Sequence, residues 1–257
     1  MNEYKLLKME RFDDGVVLMT LQNGPLNLMS PDLLFELRDV FTELGNDDDM
    51  RAVVLTGSQR AFCAGADVTT FGVFPKGTNT IIGQSVYNII ENCRLPIIAA
   101  IDGHCLGGGL ELALCCDVRY AAETAKIGLT EANLSLIAAY GGNTRLPWLI
   151  GEANAKRMFY TAARLSGAEA VRYGVCQEVY PQEQLIEKAL ELAHLMATKA
   201  PRSITAAKKV MNGFRNDLFA AGMAREAEIG PYASRSADCK EGLAALREKR
   251  QPKFTNK

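Results

Sequence analysis

Glu111 is the one charged residue in a strongly apolar stretch that follows three consecutive glycines. Residues 110 and 112–116 around it are leucine, alanine and cysteine. A helix that is apolar on every side is normally buried, and burial of an unpaired carboxylate is unfavourable unless its pKa rises. Three interpretations are open for this residue: a catalytic carboxylate, the partner of a buried arginine, or a cap for neighbouring backbone N–H groups.

A second isolated carboxylate is Glu131, which lies in an apolar segment shortly before the pair Gly141 and Gly142. Taken alone, a loop glutamate is typical of a solvated side chain or a helix cap. Together with Glu111 it offers a general acid and a general base, provided that the two environments differ. Such a pair beside an oxyanion-binding site predicts the addition or removal of water next to a carbonyl group.

Two stretches, 52–67 and 97–112, share one plan, in which an apolar strand leads through a turn of glycine and alanine into a predicted helix. Small residues let a ligand approach the backbone. If both turns open on one cleft, each supplies a main-chain N–H group, and the second lies at a helix N-terminus, where the helix dipole favours negative charge. The turns then form an oxyanion hole; otherwise the glycines only permit tight packing between strand and helix.

Other residues of these turns are assigned structural roles. His104 is predicted to be a hydrogen-bonded structural histidine, since no serine or cysteine nucleophile pattern accompanies it. Asp67 is predicted to cap the helix that follows it, and Cys63 to behave as a small apolar residue. No phosphate-loop, dinucleotide-binding or nucleophile-elbow motif occurs, and two histidines without paired cysteines predict no metal site.

The composition of the 257 residues narrows the classes of function. The net charge is −1, which gives no electrostatic argument for binding nucleic acid or an anionic membrane. Residues 1–10 alternate charged and apolar types without the pattern of a signal peptide, and no apolar run reaches membrane-spanning length. Seven cysteines without regular spacing are typical of buried, reduced thiols, so we expect a cytoplasmic protein that binds neither nucleic acid nor a membrane.

Short β-branched runs bounded by turn residues predict the strands that must carry these turns. They lie at residues 15–21, 51–57, 95–103, 117–122 and 175–180. Between the first two, Ser30 and Pro31 suit an N-cap and a first helical residue, and apolar residues at helical spacing follow as far as Leu44. Strands that alternate with helices predict an α/β fold with a largely parallel sheet.

Towards the C-terminus the pattern becomes helical. Ser166 and Glu169 form a predicted capping box, residues 184–199 carry one apolar face, and Pro201 suits the start of another helix. We therefore divide the chain into a core at 1–199, which holds the candidate site, and a C-terminal helical region at 200–257.

Four separate motifs connect these features to a known family. They are AFCAGADV (61–68), IDGHCLGGGLELALCCDVRYA (101–121), GLTEANLSL (128–136) followed by YGGNTRLPWLIG (140–151), and KEGLAALREKRQPKF (240–254). With these motifs in this order, the chain resembles the crotonase, or enoyl-CoA hydratase/isomerase, superfamily over nearly its whole length. The resemblance implies a spiral of β-β-α units with a C-terminal helical region that forms trimers or dimers of trimers. It also implies an acyl-CoA thioester as substrate and no metal or redox cofactor.

The resemblance assigns roles to residues of the turns. The backbone N–H groups of Ala66 and Gly108 would form the oxyanion hole for the thioester oxygen. Glu111 would activate water and Glu131 would donate a proton to the α-carbon, and the presence of both favours hydration of a 2-enoyl-CoA to a 3-hydroxyacyl-CoA. Another reaction of the superfamily, such as isomerisation, decarboxylation or C–C hydrolysis, and a non-catalytic acyl-CoA-binding subunit remain alternatives.

Further residues are implied to contact the substrate or its CoA moiety, namely Ala64, Gly65, Asp67, Val68, Ala139 and Lys249. Lys249 would reach the CoA phosphates, unless it is a solvated lysine of the tail. The segment 71–90 would line the acyl pocket. Where many hydratases have Pro-Gly, this chain has Ala138 and Ala139, followed by Tyr140. We expect the second alanine to resist a positive φ and the tyrosine to alter the acyl pocket or the reaction.

Overall fold

The structure, a computed structural model, describes residues 4–58, 60–71, 75 and 78–255, with side chains for all of these except 214–218 and 232–233. Its strands are β1 (Leu7–Arg11), β2 (Val16–Leu21), β3 (Ala52–Thr56), β4 (Ala61–Cys63), β5 (Ile97–Ile101), β6 (His104–Leu106), β7 (Val118–Ala122), β8 (Lys126–Gly128) and β9 (Glu178–Tyr180). Its α-helices are α1 (Pro31–Asn46), α2 (Thr78–Glu91), α3 (Gly108–Leu114), α4 (Gly142–Ile150), α5 (Glu152–Tyr160), α6 (Gly167–Tyr173), α7 (Leu185–Ala197), α8 (Pro201–Ser234) and α9 (Ala237–Glu248). The described residues also form 3-10 turns at Val68–Thr70 and Glu131–Leu134.

The chain winds as a spiral that places successive strands in two sheets. A six-stranded sheet has the order β1-β2-β3-β5-β7-β9, and a three-stranded sheet has the order β4-β6-β8. Each turn of the spiral therefore adds one strand to each sheet, as β3 and β4, β5 and β6, and β7 and β8, before a helix follows. All pairs are parallel except β1 with β2. The predicted spiral of β-β-α units is confirmed.

The five predicted strands correspond to β2, β3, β5, β7 and β9. The prediction missed β1 and the whole three-stranded sheet. The strands β4, β6 and β8 have only three residues each and contain alanine, cysteine, histidine and glycine rather than a β-branched run. Parallel pairing with their neighbours, rather than local propensity, makes these segments extended.

The six-stranded sheet is buried on both faces, which explains why its strands are almost continuously apolar. Val53 and Leu55 of β3 belong to the main core, together with α1. Val54, between them, faces the opposite way and packs in a second cluster with Leu185 and Ala189 of α7. Helix α1 begins as predicted, since the Ser30 hydroxyl accepts a hydrogen bond from the third helical residue and proline occupies the first helical position.

The C-terminal helices reach back to the segment that carries Glu131. The predicted helices after residue 180 are present as α7 and α8, and the predicted capping box at Ser166 is formed. Helix α9 packs on the 3-10 turn Glu131–Leu134, where a Cβ on Gly242 would lie 2.8 Å from Cα of Leu134. Across the described ranges, no helix is both long and apolar enough to cross a membrane. The division at residue 199 stays a prediction.

Candidate active site

Two backbone turns meet at one edge of the three-stranded sheet. The turn at 64–67 follows β4, the turn at 107–109 follows β6, and β4 and β6 are parallel neighbours. Because the carboxyl ends of parallel neighbours lie at the same edge of a sheet, the two turns are brought together. A Cβ placed on Gly108 would lie 3.5 Å from the backbone nitrogen of Ala66. The turns therefore face each other across a narrow space.

The N–H group of Ala66 points into this space. Ala66 forms an isolated parallel bridge with Met29. The N–H of Met29 donates to the carbonyl of Gly65 (2.8 Å), and the N–H of Asp67 donates to the carbonyl of Met29 (3.1 Å). Because the groups on either side of Ala66 bond to Met29, the N–H of Ala66 itself is directed the other way, towards Gly108.

The N–H group of Gly108 is the first of helix α3, and the first N–H groups of a helix have no partner within the helix. Gly107 before it has a φ of +51°, a conformation that favours glycine. A Cβ on Gly107 would also lie 3.0 Å from Oε1 of Glu131. The hydroxyl of Tyr87, in α2, donates to the carbonyl of Gly108 (2.8 Å) and so fixes the first turn of α3.

The three consecutive glycines serve different purposes. A Cβ on Gly109 would lie 2.0 Å from the carbonyl oxygen of Cys63, so Gly109 permits tight packing of α3 on β4. At Gly108 the nearest atoms to a Cβ are at ordinary contact distances of 3.5–3.9 Å. The packing interpretation therefore holds for Gly109, whereas packing does not require glycine at Gly108.

Glu111 lies one helical turn after Gly107 and is 3% exposed. Its Oε1 accepts hydrogen bonds from the backbone N–H groups of Tyr140 (2.7 Å) and Gly142 (2.8 Å), at the start of α4. Its Oε2 accepts no hydrogen bond from any residue that the structure describes. Glu111 therefore caps neighbouring backbone N–H groups, but with only one of its two carboxylate oxygens.

The interpretation of Glu111 as the partner of a buried arginine is wrong. The buried Arg119 donates to backbone carbonyls at the end of α3, and the guanidinium of the buried Arg145 binds the carboxylate of Glu91 (2.9 Å). The same side chain also donates to the carbonyl of Tyr140 (2.9 Å) and to the side chain of Asn88 (2.8 Å). Glu91 therefore compensates the arginine charge, and Glu111 is left without a cation of its own.

Glu131 is the second carboxylate at this space. Its Oε2 is buried and has no hydrogen-bond partner among the described residues, so the solvated interpretation is wrong. Burial raises the pKa of Glu131 to about 7, against the opposing effect of backbone N–H groups at Glu131 and Thr130. Burial also raises the pKa of Glu111 well above its ordinary value, and the charges of Glu131 and Glu226 add to that rise.

The two carboxyls titrate as one interacting pair, because each disfavours the ionisation of the other. Two backbone N–H groups stabilise the ionised form of Glu111. The partnerless buried oxygen of Glu131 favours the protonated form of that residue. The arrangement therefore places two carboxyl groups in different environments side by side, as general acid–base chemistry on a bound carbonyl compound requires.

Glu226 of α8 is a buried carboxylate that the sequence did not reveal. Its Oε2 accepts from the N–H of Gly141 (2.8 Å), and its Oε1 accepts from the hydroxyl of Thr144 (2.6 Å). Burial raises its pKa from 4.5 to about 7. In the sequence Glu226 stands between other charged residues of a helix, so nothing local distinguishes it from a solvated side chain.

The segment 138–142 is not strained by its alanine. Non-glycine residues with positive φ in the described part of the chain are Asn27, Ser135, Ala162 and Lys249. Ala139 is not among them, so the conformational conflict that we expected there is absent. The ring of Tyr140 packs edge-on against Tyr87 with centroids 5.5 Å apart, and a Cβ on Gly83 would lie 2.5 Å from it. Tyr140 thus fills the space between this segment and α2.

The predicted substrate-contacting residues Ala64, Gly65, Asp67 and Val68 all belong to the first turn or directly follow it. Gly65 has a φ of +120°. The carboxylate of Asp67 accepts from the N–H of Thr69 (3.0 Å), so Asp67 is a cap as predicted. The helix that it caps is only the 3-10 turn Val68–Thr70, not the longer helix expected from the shared plan of the two stretches.

Ala139 and Lys249, the other two residues predicted to contact the substrate, lie outside this first turn. Ala139 borders the site, and its carbonyl accepts from the side chain of Gln84 (2.9 Å). Lys249 is exposed and caps the C-terminal end of α9 with a φ of +54°. Its side chain forms no hydrogen bond or ion pair with a described residue, so the structure of one chain does not bring it to the other site residues. Of the predicted acyl-pocket segment, 72–74 and 76–77 lie outside the described residues.

The structure does not support a role for His104 or Cys63 as a nucleophile or a base. Burial raises the pKa of the Cys63 thiol to about 12, which keeps it protonated and unreactive. The prediction that His104 is hydrogen-bonded is wrong for its side chain, since Nδ1 is buried without a partner in the described ranges. His104 lies in the middle strand of the small sheet, where the backbone groups of β4 and β8 are taken up by strand pairing.

Comparisons with known proteins show what the chain is similar to. Over residues 11–257 the chain matches the family described as Enoyl-CoA hydratase/isomerase. It is 33% identical over 259 aligned residues to a crotonyl-CoA hydratase of Syntrophomonas wolfei, with 99% of each chain covered. It is 36% identical over 247 residues to a probable enoyl-CoA hydratase of Bacillus subtilis, covering 94% of this chain and 96% of that one. A crystal structure of an enoyl-CoA hydratase/isomerase from Pseudoalteromonas atlantica superposes with a TM-score of 0.89 at 29% identity and covers 98% of this chain and 100% of that one.

Proposed function

Because the chain belongs to the enoyl-CoA hydratase/isomerase family, we propose that it catalyses the reversible hydration of a 2-enoyl-CoA thioester to a 3-hydroxyacyl-CoA. The observation that carries this proposal is the position of two glutamates, the buried Glu111 and the half-buried Glu131 with its buried Oε2, at a space lined by the N–H groups of Ala66 and Gly108. The hydratase names of the relatives support the same reaction.

The two N–H groups act on the thioester oxygen. When water attacks the β-carbon, an electron pair of the carbon–carbon double bond moves towards the thioester carbonyl, and negative charge develops on its oxygen. Fixed donors at Ala66 and Gly108 stabilise that charge without rearranging during the reaction, and one such donor typically contributes about 3–4 kcal/mol to the transition state. The helix dipole of α3 acts in the same direction.

The two glutamates move the protons. Glu111 accepts a proton from the attacking water, whose oxygen bonds to the β-carbon, and Glu131 donates its proton to the α-carbon. The thioester thereby gains one hydroxyl group and one hydrogen. Afterwards Glu111 is protonated and Glu131 is ionised, so transfer of one proton between them or through water restores the starting state. The reaction as written needs neither a metal nor a redox cofactor.

The remaining assignments extend this proposal. Ala64, Gly65, Asp67, Val68 and Ala139 contact the thioester part of the substrate or its CoA moiety. Lys249 binds CoA phosphates from the end of α9, with its side chain reaching the ligand through the exposed position that it occupies. The protein works in the cytoplasm as a homotrimer or a dimer of trimers.

The test is product identification. The purified protein is incubated with 2-enoyl-CoAs of graded length, branching and ring structure in isotopically labelled water, and the products are analysed by mass spectrometry. Hydration predicts a 3-hydroxyacyl-CoA with one labelled oxygen on the β-carbon. A shifted double bond, a loss of carbon dioxide, or binding of the whole series without turnover would each contradict the proposal.

A further inference from the structure

A further buried carboxylate lies at the turn that holds Glu111. Glu226 comes from α8, far from the other site residues in sequence, and is 5% exposed. We propose that Glu226 is a positioning residue of the active site, which holds the turn 140–142 from the side of α8 so that the N–H groups of Tyr140 and Gly142 point at Glu111. This inference rests on the proposed hydratase function and adds a contribution of the C-terminal helical region to it.

The geometry of the turn carries the inference. Three successive N–H groups alternate between two carboxylates: those of Tyr140 and Gly142 donate to Glu111, and that of Gly141, between them, donates to Glu226. Gly141 has a φ of +106°, a conformation that favours glycine and turns its N–H away from its neighbours. The turn is thus fixed from both sides, and loosening one side would free the other.

A second contact links Glu226 to the same structural unit. The hydroxyl of Thr144, in the first turn of α4, donates to Glu226 Oε1 (2.6 Å). Thr144 also packs against α8, where a Cβ on Gly222 would lie 2.7 Å from its methyl group. Both oxygens of Glu226 therefore bind the segment that leads into α4, and neither serves only its own helix.

The charges around the turn give Glu226 an additional effect. The groups that interact electrostatically with Glu111 are Glu131 after β8, Glu226 from α8, the phenols of Tyr87 and Tyr140 and the guanidinium of Arg145. The guanidinium is compensated by Glu91, so the negative charge of Glu226 disfavours ionisation of Glu111. Glu226 itself has a pKa of about 7, because burial opposes its charge.

The competing explanation is that Glu226 only caps α4 and stabilises the fold. Three substitutions separate the two. Glu226→Ala removes both the contacts and the charge. Glu226→Gln has the same length, keeps an acceptor for the Gly141 N–H and removes the charge, while its NH2 group can donate to the Thr144 hydroxyl, which then accepts instead of donating. Glu226→Asp keeps the charge but is one methylene too short to reach Gly141 and Thr144 together.

The kinetic test uses the substrate that the wild-type protein hydrates fastest. For Glu226→Ala and Glu226→Asp we expect kcat to fall by about 10- to 100-fold with KM nearly unchanged, because Glu111 is misplaced while the CoA contacts remain. Glu226→Gln should restore kcat to within a few-fold of the wild type. In the pH profile of kcat/KM for Glu226→Gln, the acid limb should move to lower pH by about one unit, since loss of a neighbouring negative charge lowers the pKa of Glu111.

Other results would overturn the inference. If all three variants fold and keep the kcat and pH profile of the wild type, Glu226 is a cap and nothing more. If Glu226→Ala does not fold, the pH profile of Glu226→Gln alone distinguishes a positioning residue from a cap: a shifted acid limb supports positioning, and an unchanged one contradicts it. A wild-type protein that hydrates none of the thioesters would refute the proposed function instead. In that case infrared titration of the buried carboxyl groups, with the band of Glu111 assigned from Glu111→Gln, still shows whether Glu226→Gln moves that band to lower pH.

Discussion

Replacement of Gly108 by alanine tests whether the space between the two turns binds the thioester oxygen. The added Cβ would lie 3.5 Å from the nitrogen of Ala66, 3.8 Å from the carbonyl carbon of Gly65 and 3.9 Å from the hydroxyl oxygen of Tyr87. These are ordinary contact distances, so the protein itself accommodates the methyl group. An oxyanion bound to the N–H of Ala66 must lie about 2.7–3.1 Å from that nitrogen. The methyl group and the oxyanion therefore compete for one place.

The expected loss follows from the displaced oxygen. If the oxyanion keeps only one of its two donors, the transition state loses about 3–4 kcal/mol, and kcat/KM falls about 10²- to 10³-fold. The free energy of unfolding should be unchanged or slightly higher, because alanine restricts the unfolded chain more than glycine does. Hydration is followed by the ultraviolet absorbance of the enoyl thioester, and stability by urea denaturation.

Gly109→Ala is the matched control for this prediction. Its Cβ would lie 2.0 Å from the carbonyl oxygen of Cys63, a backbone atom, so the helix or the strand must move. We expect Gly109→Ala to destabilise the fold by about 1–3 kcal/mol or more. Gly108→Ala with full activity and normal stability would refute the assignment of the oxyanion hole, because the space would then be empty during the reaction.

Three further predictions concern the buried polar groups. A carboxyl whose pKa is raised on folding, such as that of Glu226, stabilises the protein below its unfolded pKa of 4.5, and this contribution is lost as the pH rises through the folded value of about 7. The free energy of unfolding of Glu226→Gln, measured by urea denaturation, should therefore rise relative to that of the wild type by about 3 kcal/mol between about pH 5 and about pH 8; an equal difference at both pH values would contradict this. Tyr87→Phe removes the hydrogen bond to the Gly108 carbonyl and should lower kcat/KM about two- to tenfold at unchanged KM; steady-state kinetics would contradict it by showing a change in KM alone. Arg145→Met removes the cation that faces Glu91 and should destabilise the fold by about 3–5 kcal/mol in denaturant titrations, and a stable variant would show that the pair is dispensable.

The sequence alone was sufficient to predict a feature wherever a residue or a run of residues was unusual for its surroundings. Glu111 could be predicted as a functional candidate because a carboxylate in an apolar helix needs a special reason, and its burial is confirmed. The strands β2, β3 and β5 could be predicted because a sheet covered on both faces requires continuous apolar runs.

The remaining features depend on residues that are distant in sequence. The small sheet consists of three-residue strands that are extended only because they pair with one another across turns of the spiral. Glu226 is buried because Gly141 and Thr144 lie against α8, and neither the charged neighbours of Glu226 nor its spacing indicates this. Likewise, whether Ala139 would need a positive φ depended on the path of the whole segment and not on its composition.

The central claim is that Glu111 and Glu131 act together on one thioester, and the kinetics of the two glutamine variants and their combination test it most directly. Residues that act as a unit show losses that do not add. We predict that Glu111→Gln and Glu131→Gln each lower kcat for the best 2-enoyl-CoA by about 10³-fold or more, with folded protein and nearly unchanged KM, and that the double variant is hardly slower than either. Wild-type turnover in one of the single variants, or losses that multiply in the double variant, would contradict the account.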